Sequence, residues 1–164
     1  MICFRNTRIG RIGIGVENGK VTSLYFENYD YDPKKVADSS METPLHKNAF
    51  SQLDEYLAGN RKAFDLPLAP SGTEFMENVW AALLEIPYGK TACYQEVAVS
   101  VGSPKAVRAV GLANNRNPIP IFIPCHRVIG KNGKLVGFGG GLDLKQKLLD
   151  LERENAGFGQ QKQF

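Results

Sequence analysis

The sequence predicts an α/β unit followed by a mainly helical unit carrying a helix-turn-helix. Three observations predict it. Strand-like alternation around an Asn-Gly turn gives way to one capped helical repeat before residue 60. A stretch with Pro67 and Pro70 and no apolar period spans residues 63–72. Beyond it the period is helical and is broken by short glycine-containing turns. The boundaries that follow are 1–70 for the first unit, 73–154 for the second and 155–164 for a polar tail expected to be poorly ordered.

Taken in order, Ile12-Gly13-Ile14-Gly15-Val16 alternates into Glu17-Asn18-Gly19-Lys20 and out through Val21, Leu24 and Phe26. Asn-Gly tolerates positive φ at both positions, so it predicts a hairpin. A polar stretch covers residues 28–40. Thr43-Pro44 then offers an N-cap with proline at the first helical position, and Leu45, Ala49, Leu53, Tyr56 and Leu57 recur at helical spacing up to Gly59. Residues 63–72 read as a linker. Thr73 caps a helix whose apolar face includes Phe75, Val79, Trp80 and Leu83, ending before Pro87-Tyr88-Gly89. A short helix fits residues 94–101. Gly102-Ser103-Pro104 makes a turn, with Ser103 as cap and Pro104 opening a third helix that runs to about Asn114. Asp143 is the expected cap of a final helix.

Composition excludes several classes. With 43% hydrophobic and 23% charged residues in 164, the chain is neither disordered nor fibrous and buries a core without staples. No apolar run approaches the roughly 20 residues of a membrane span, and Met1-Ile2-Cys3-Phe4-Arg5 opens no export signal, which predicts a cytoplasmic protein. Cys3, Cys93 and Cys125 are scattered, so a disulfide framework and a zinc site are not expected. Only His46 and His126 are present, too few for a three-imidazole metal centre.

Charge is unevenly placed. Residues 1–72 hold nine basic and nine acidic side chains, whereas Lys90, Lys105, Arg108, Arg116, Arg127, Lys131 and Lys134 face only Glu96 within 86–134. A polyanion is the partner this local excess suggests, and a solvated basic face is the alternative. At 100° per residue, Ala106, Val110 and Ala113 share one side of the third helix and Arg108 points nearly opposite. The small residues Ala106, Ala109, Gly111 and Ala113 permit close approach to a groove, or tight helix packing.

The run from Asn117 to Val128 holds Pro118, Pro120 and Pro124, so three backbone donors are missing and a regular central strand is excluded. A stiff apolar loop results, presenting Cys125, His126 and Arg127, with the Asn117 amide available to its backbone groups. Imidazole beside a thiol suggests an activated nucleophile. In an extended segment the two side chains would point to opposite sides, so they communicate through water or a bend. Leu144, Leu148, Leu151 and Glu152 fall at i, i+4, i+7 and i+8, which turns Glu152 inward, where a buried carboxylate needs a partner. His126 would complete a relay from Glu152 through His126 and water to Cys125. An ion pair of Glu152 with Arg127 is the alternative. Residues 137–141, glycine except for Phe138, supply a wall poor in side chains.

These residues resemble the O6-alkylguanine-DNA alkyltransferases, the methylated-DNA–protein-cysteine methyltransferases. The resemblance is carried by Ile123-Pro124-Cys125-His126-Arg127-Val128, with Pro87-Tyr88-Gly89-Lys90-Thr91, Tyr94-Gln95-Glu96-Val97-Ala98, Arg108-Ala109-Val110-Gly111, Asn117-Pro118-Ile119-Pro120 and residues 142–152. It covers most of residues 73–153 and is weak before residue 73. It implies an N-terminal ribonuclease-H-like α/β domain and a C-terminal winged helix-turn-helix domain. It also implies binding in the minor groove of double-stranded DNA containing O6-alkylguanine, by a protein that is monomeric when free and needs no cofactor.

By the same resemblance, Arg108 would fill the gap left by a flipped-out guanine. Tyr94 would donate to that base, and the backbones of Cys125, Val128 and Gly139 would read its edges. Asn117 would brace the loop, while Pro120, Phe138 and Arg127 would line the substrate site. Ser103, Ala109 and Asn114 would contact DNA. Cys125 would attack the alkyl carbon with help from Glu152, His126 and water, Tyr94 or Lys145 favouring guanine as leaving group, and the thioether would end the protein's working life. O4-methylthymine is a second candidate substrate.

Phe138 stands where many members carry tyrosine, and Asn114 and Asn115 occupy variable positions. The cysteine cluster of adaptive-response regulators is absent, and Cys125 is not replaced as in the inactive damage-binding relatives. Two other readings are a winged-helix protein that recognises alkylated DNA without chemistry, and a cysteine hydrolase using Cys125 and His126, which would leave the basic stretch unexplained.

Overall fold

The computed structural model describes residues 1–27 and 41–161. The polar stretch 28–40 and the last three residues of the expected tail, 162–164, lie outside the described residues. The chain forms two compact units, Met1–Ser71 with Pro118–Pro120, and Gly72–Asn117 with Ile121–Phe164.

The first unit is built on an antiparallel sheet of β1 (Ile2–Thr7), β2 (Gly10–Glu17) and β3 (Lys20–Phe26) in that order. Asn18 and Gly19 at φ 51° and 74° form the tight turn between β2 and β3, so the predicted hairpin is present. α1 (Pro44–Leu57) packs on β1 and β2 and buries Ala49, Phe50, Leu53 and Tyr56, while Ile12 and Ile14 of β2 are buried as well. Its cap is Thr43, whose hydroxyl accepts from the His46 amide, while Thr43 N–H donates to His46 Nδ1 at 3.1 Å.

Residues 65–69, within the stretch expected as a linker, are tied into this unit. Asp65 exchanges two hydrogen bonds with the Gln52 amide at 2.9 and 3.0 Å, and Val21 pairs in parallel with Leu68 through Pro67 O and Ala69 N. Proline lacks a donor but keeps its carbonyl, so a proline-bearing segment still pairs where it only accepts. Leu24 N–H likewise donates to Pro118 O at 2.9 Å.

In the second unit α2 (Glu74–Leu83), capped by the Thr73 hydroxyl at 3.2 Å from Met76 N, buries Val79, Trp80 and Leu83. α3 (Tyr94–Ser100) and α4 (Val107–Asn115) pack on each other and on α2, and Trp80 Nε1 donates to Ala113 O at 2.9 Å. Two short strands, β4 (Ala92–Cys93) and β5 (Val128–Ile129), pair in parallel. α5 (Leu142–Gln161) closes the unit.

Three expectations are corrected. Ser103 and Pro104 do not open α4: Ala106 N–H donates to Ser103 O in a separate turn, and Ala106 at ψ 35° holds the helix back until Val107. Asp143 is not the cap of α5, because Lys145 N–H already bonds Gly141 O; Asp143 sits in the first turn, where a carboxylate favours the helix dipole. Residues 155–161 are not tail but the end of α5, with no proline to stop it.

Candidate active site

The cysteine loop is shaped by its prolines. The chain re-enters the second unit at Ile121, whose φ of 74° is an unusual conformation for a β-branched residue, a strain of order 1–3 kcal/mol that its buried surroundings sustain. Pro124 at φ −81° and ψ 63° then makes an inverse γ-turn, with Cys125 N–H donating to Ile123 O at 2.8 Å. Residues Cys125–Arg127 form one 3-10 turn. The bend that the sequence left open as a route between Cys125 and His126 is therefore present, because successive side chains on such a turn are not opposed as in a strand. Asn117 Nδ2 donates to Ile123 O at 2.8 Å, the loop-bracing contact its position suggested.

Cys125, His126 and Arg127 are all buried, at 5%, 0% and 7% exposure, which means that neither ring nor guanidinium faces solvent. His126 Nε2 lies 2.6 Å from Glu152 Oε2. Arg127 donates from Nε to Glu152 Oε1 at 2.8 Å and from Nη2 to Oε2 at 3.2 Å, and Gly89 N–H donates to Oε1 at 3.1 Å. The two partners weighed for Glu152 are thus both engaged. Burial alone would push the Glu152 carboxyl up, but the hydrogen bonds and charges of His126 and Arg127 outweigh it and bring the group down to about 2. Burial pushes His126 down, Glu152 opposes this, and Arg127 and Lys145 add to it. The ring is neutral and carries its proton on Nε2, toward the carboxylate, so Nδ1 is the basic nitrogen.

A second cluster meets on the glycine-rich loop. Tyr94 OH donates to Val136 O at 3.0 Å, and Lys145 Nζ donates to Val128 O, Val136 O and Gly137 O at 2.7, 3.0 and 3.4 Å. Burial raises Tyr94 and lowers Lys145, and a negative charge on Cys125 raises both, so both groups lie within electrostatic reach of the thiol. Phe138 stands edge-on to His126 with ring centres 6.5 Å apart. Gly139 is exposed, and Val128 is buried next to the 3-10 turn.

The sites expected to meet DNA divide. Arg108 and Ala109 are exposed on α4, and Ser103 is partly exposed in the preceding turn. Asn114 is turned inward, 2% exposed, with Nδ2 at 3.4 Å from Cys125 O. It sits on the side of α4 that carries Val110 and Ala113, so it cannot lie on an outer face with Arg108. Arg127, expected among the substrate-binding residues, has its guanidinium committed to Glu152 and, through Nη1, to Ile86 O at 2.7 Å. Pro120 belongs to the first unit's cluster. Gly89, at φ 79°, is a site residue the sequence reading did not assign; the glycine closing Pro87-Tyr88-Gly89 was the available signal.

Comparison with known proteins gives the same motifs a lineage. Residues 74–154 match the 6-O-methylguanine DNA methyltransferase DNA binding domain, and residues 4–70 match the ribonuclease-like domain of the same proteins. The chain belongs to the 6-O-methylguanine DNA methyltransferase family. A methylated-DNA–protein-cysteine methyltransferase of Methanosarcina acetivorans is 55% identical over 82% of this chain and 88% of its own. A constitutive protein of that name from Bacillus subtilis is 48% identical over 90% and 92%. The crystal structure of Mycobacterium tuberculosis OGT in complex with DNA is 41% identical, covers 94% of this chain and 93% of its own, and superposes with a TM-score of 0.85. Family likeness therefore extends through the first unit, where the motifs alone showed little. No helix among the described residues is long and apolar enough to cross a membrane.

Proposed function

We propose that this protein repairs DNA by moving the O6-alkyl group of guanine, methyl above all, irreversibly to Cys125. The observation that carries the reading is the buried Glu152–His126 contact of 2.6 Å on the 3-10 turn that begins with Cys125. In a family whose members are named for this reaction, that turn supplies nucleophile and base and α5 brings the orienter, Glu152, to them.

In this reading the duplex is bound through a winged helix-turn-helix of residues 73–154, with α3, the turn and α4 as the motif and the β5 turn as wing. Residues 1–70 are a ribonuclease-H-like scaffold, in keeping with an antiparallel sheet followed by α1. Ala109 and Ser103 lie against the backbone, and exposed Arg108 occupies the space vacated by the flipped guanine. Tyr94, Phe138, Gly139 and Val128 receive the base. Asn117 and Asn114 hold the cysteine loop from two sides.

The thiol proton passes by way of water to His126 Nδ1 as sulfur attacks. The S–C bond forms, the C–O6 bond breaks, and the electron pair stays on guanine, where Tyr94 or Lys145 offsets the charge. Because a thioether is a poor leaving group, the protein acts once. The catalytic share is a positioned thiolate.

Intact mass after mixing with a duplex holding one O6-methylguanine tests this. A gain of one methyl group per chain, mapped to Cys125 and lost in Cys125→Ala, is expected. Tight binding with the thiol unmodified would move the protein to non-enzymatic damage recognition.

A further inference from the structure

Beside the relay stands a charged group that the reaction, as described, does not use. Arg127 follows the cysteine by two residues in a basic stretch, a place that suggests DNA contact, yet all three of its nitrogens are spent inside the unit. Nε and Nη2 reach both oxygens of Glu152, Nη1 reaches Ile86 O, and the guanidinium stands 5.7 Å above the Tyr88 ring. Its geometry is the planar two-point grip that only arginine gives a carboxylate.

We infer that Arg127 is a positioning residue for the transfer step: it fixes Glu152 as a carboxylate aimed at His126 Nε2 and thereby keeps His126 a neutral base. The inference rests on the reading of His126 as the acceptor of the Cys125 proton. Glu152 Oε2 is shared between His126 and Arg127, and Oε1 is held by Arg127 and the Gly89 amide, so the carboxylate cannot rotate away from the imidazole without breaking contacts on both oxygens. The charge also matters. A buried carboxylate with imidazole as its sole cationic partner would draw a proton onto that ring, and a ring already protonated cannot accept one from the thiol. The guanidinium supplies the positive charge instead.

Among the groups facing His126 are Glu152 and Lys145 from α5, Arg127 from its own turn and the uncharged Phe138 edge. Among those facing Glu152 are His126, Arg127, the Gly89 amide and Tyr88, whose hydroxyl is pushed up to about 12 by burial and by the carboxylate. Lys145 is held by carbonyls and makes no hydrogen bond to Glu152, so among these groups Arg127 alone supplies the permanent counter-charge that touches the carboxylate.

The test uses the whole protein with 15N-labelled histidine, following the His126 ring by NMR across pH and, separately, single-turnover methyl transfer from an O6-methylguanine duplex. In the natural protein His126 stays neutral with Nε2 protonated through neutral pH. In Arg127→Met the His126 midpoint rises by about one to three pH units. Transfer at neutral pH falls with the fraction of neutral rings, from a few-fold to roughly 100-fold across that range of rises, and recovers as pH is raised past the new midpoint. Arg127→Lys keeps a charge but not the two-point grip, folds more readily, and shows a smaller rise of about one unit. DNA affinity and its salt dependence stay as in the natural protein. An unchanged His126 midpoint in either variant, or weaker DNA binding with an unaltered pH profile, overturns the inference in favour of a structural or DNA-contacting arginine. Failure of the natural protein to transfer would instead overturn the proposed function, and the ring titration still decides the role of Arg127.

Discussion

Tyr94 and Lys145 meet on a single carbonyl: the tyrosine hydroxyl and the ammonium both donate to Val136 O, each at 3.0 Å. One residue opens α3 and the other lies in α5, so the start of the glycine-rich loop is clasped from two helices. Either donor alone satisfies the carbonyl, and only loss of both leaves it bare. Tyr94→Phe should therefore cost about 1 kcal/mol and Lys145→Met roughly 1–3 kcal/mol, with the double variant exceeding their sum by about 1 kcal/mol. Urea unfolding of the four proteins measures this. Additivity within about 0.5 kcal/mol would show that the two contacts are independent.

Arg108 offers a test of base extrusion. It is exposed on α4, away from the Val110 and Ala113 face. Arg108→Ala should slow transfer from duplex DNA far more than transfer from free O6-methylguanine, because only the duplex has a stack to be filled. Single-turnover rates on the two substrates decide it, and equal losses would remove the finger role.

Acid should act on the relay in two windows. Both shifts are downward: His126 lies below its ordinary 6.5 through burial, and Glu152 lies at about 2 against an ordinary 4.5. A depressed value means that the unfolded chain binds the proton first, so the stabilisation is present above the unfolded value and is lost as pH falls. Stability should decline below about pH 6.5 as His126 is charged on unfolding, and more steeply below about 4.5 as Glu152 contributes on the order of 3 kcal/mol. Glu152→Gln should flatten the lower window and leave the upper decline. Chemical denaturation from pH 8 to pH 3 gives the comparison.

What the sequence made legible was local or periodic. Asn18-Gly19, Thr43-Pro44 and Thr73 announce a turn and two helix starts because their chemistry acts within four residues. Glu152 is legible as inward because helical spacing sets its face. Helix starts set by backbone closure were not: Ala106 and Gly141 divert the first turns of α4 and α5 by conformations that no cap residue signals. Nor could spacing say which donors reach Glu152, since Arg127 lies 25 positions away and Gly89 lies 63. Asn114 was misplaced for a related reason, as amide side chains favour solvent unless a buried carbonyl, here that of Cys125, awaits them.

Gly89 joins these themes in a last prediction. Its amide holds Glu152 Oε1, its φ is 79°, and an added Cβ would collide with the Ala156 methyl on the next turn of α5. Gly89→Ala should cost roughly 1–2 kcal/mol for the left-handed conformation and a further 1–3 kcal/mol for the overlap. The variant relieves the overlap by moving the turn away from α5, which also pulls the amide off the carboxylate, so methyl transfer should slow along with the loss of stability. Adding Ala156→Gly removes the overlap but not the conformational cost, and introduces a helix glycine worth about 1 kcal/mol. The double variant should therefore recover transfer while remaining less stable than the natural protein, a split read by pairing single-turnover rates with urea midpoints. If Ala156→Gly restored neither quantity, Gly89 would be required for its φ alone and the contact with α5 would carry no weight.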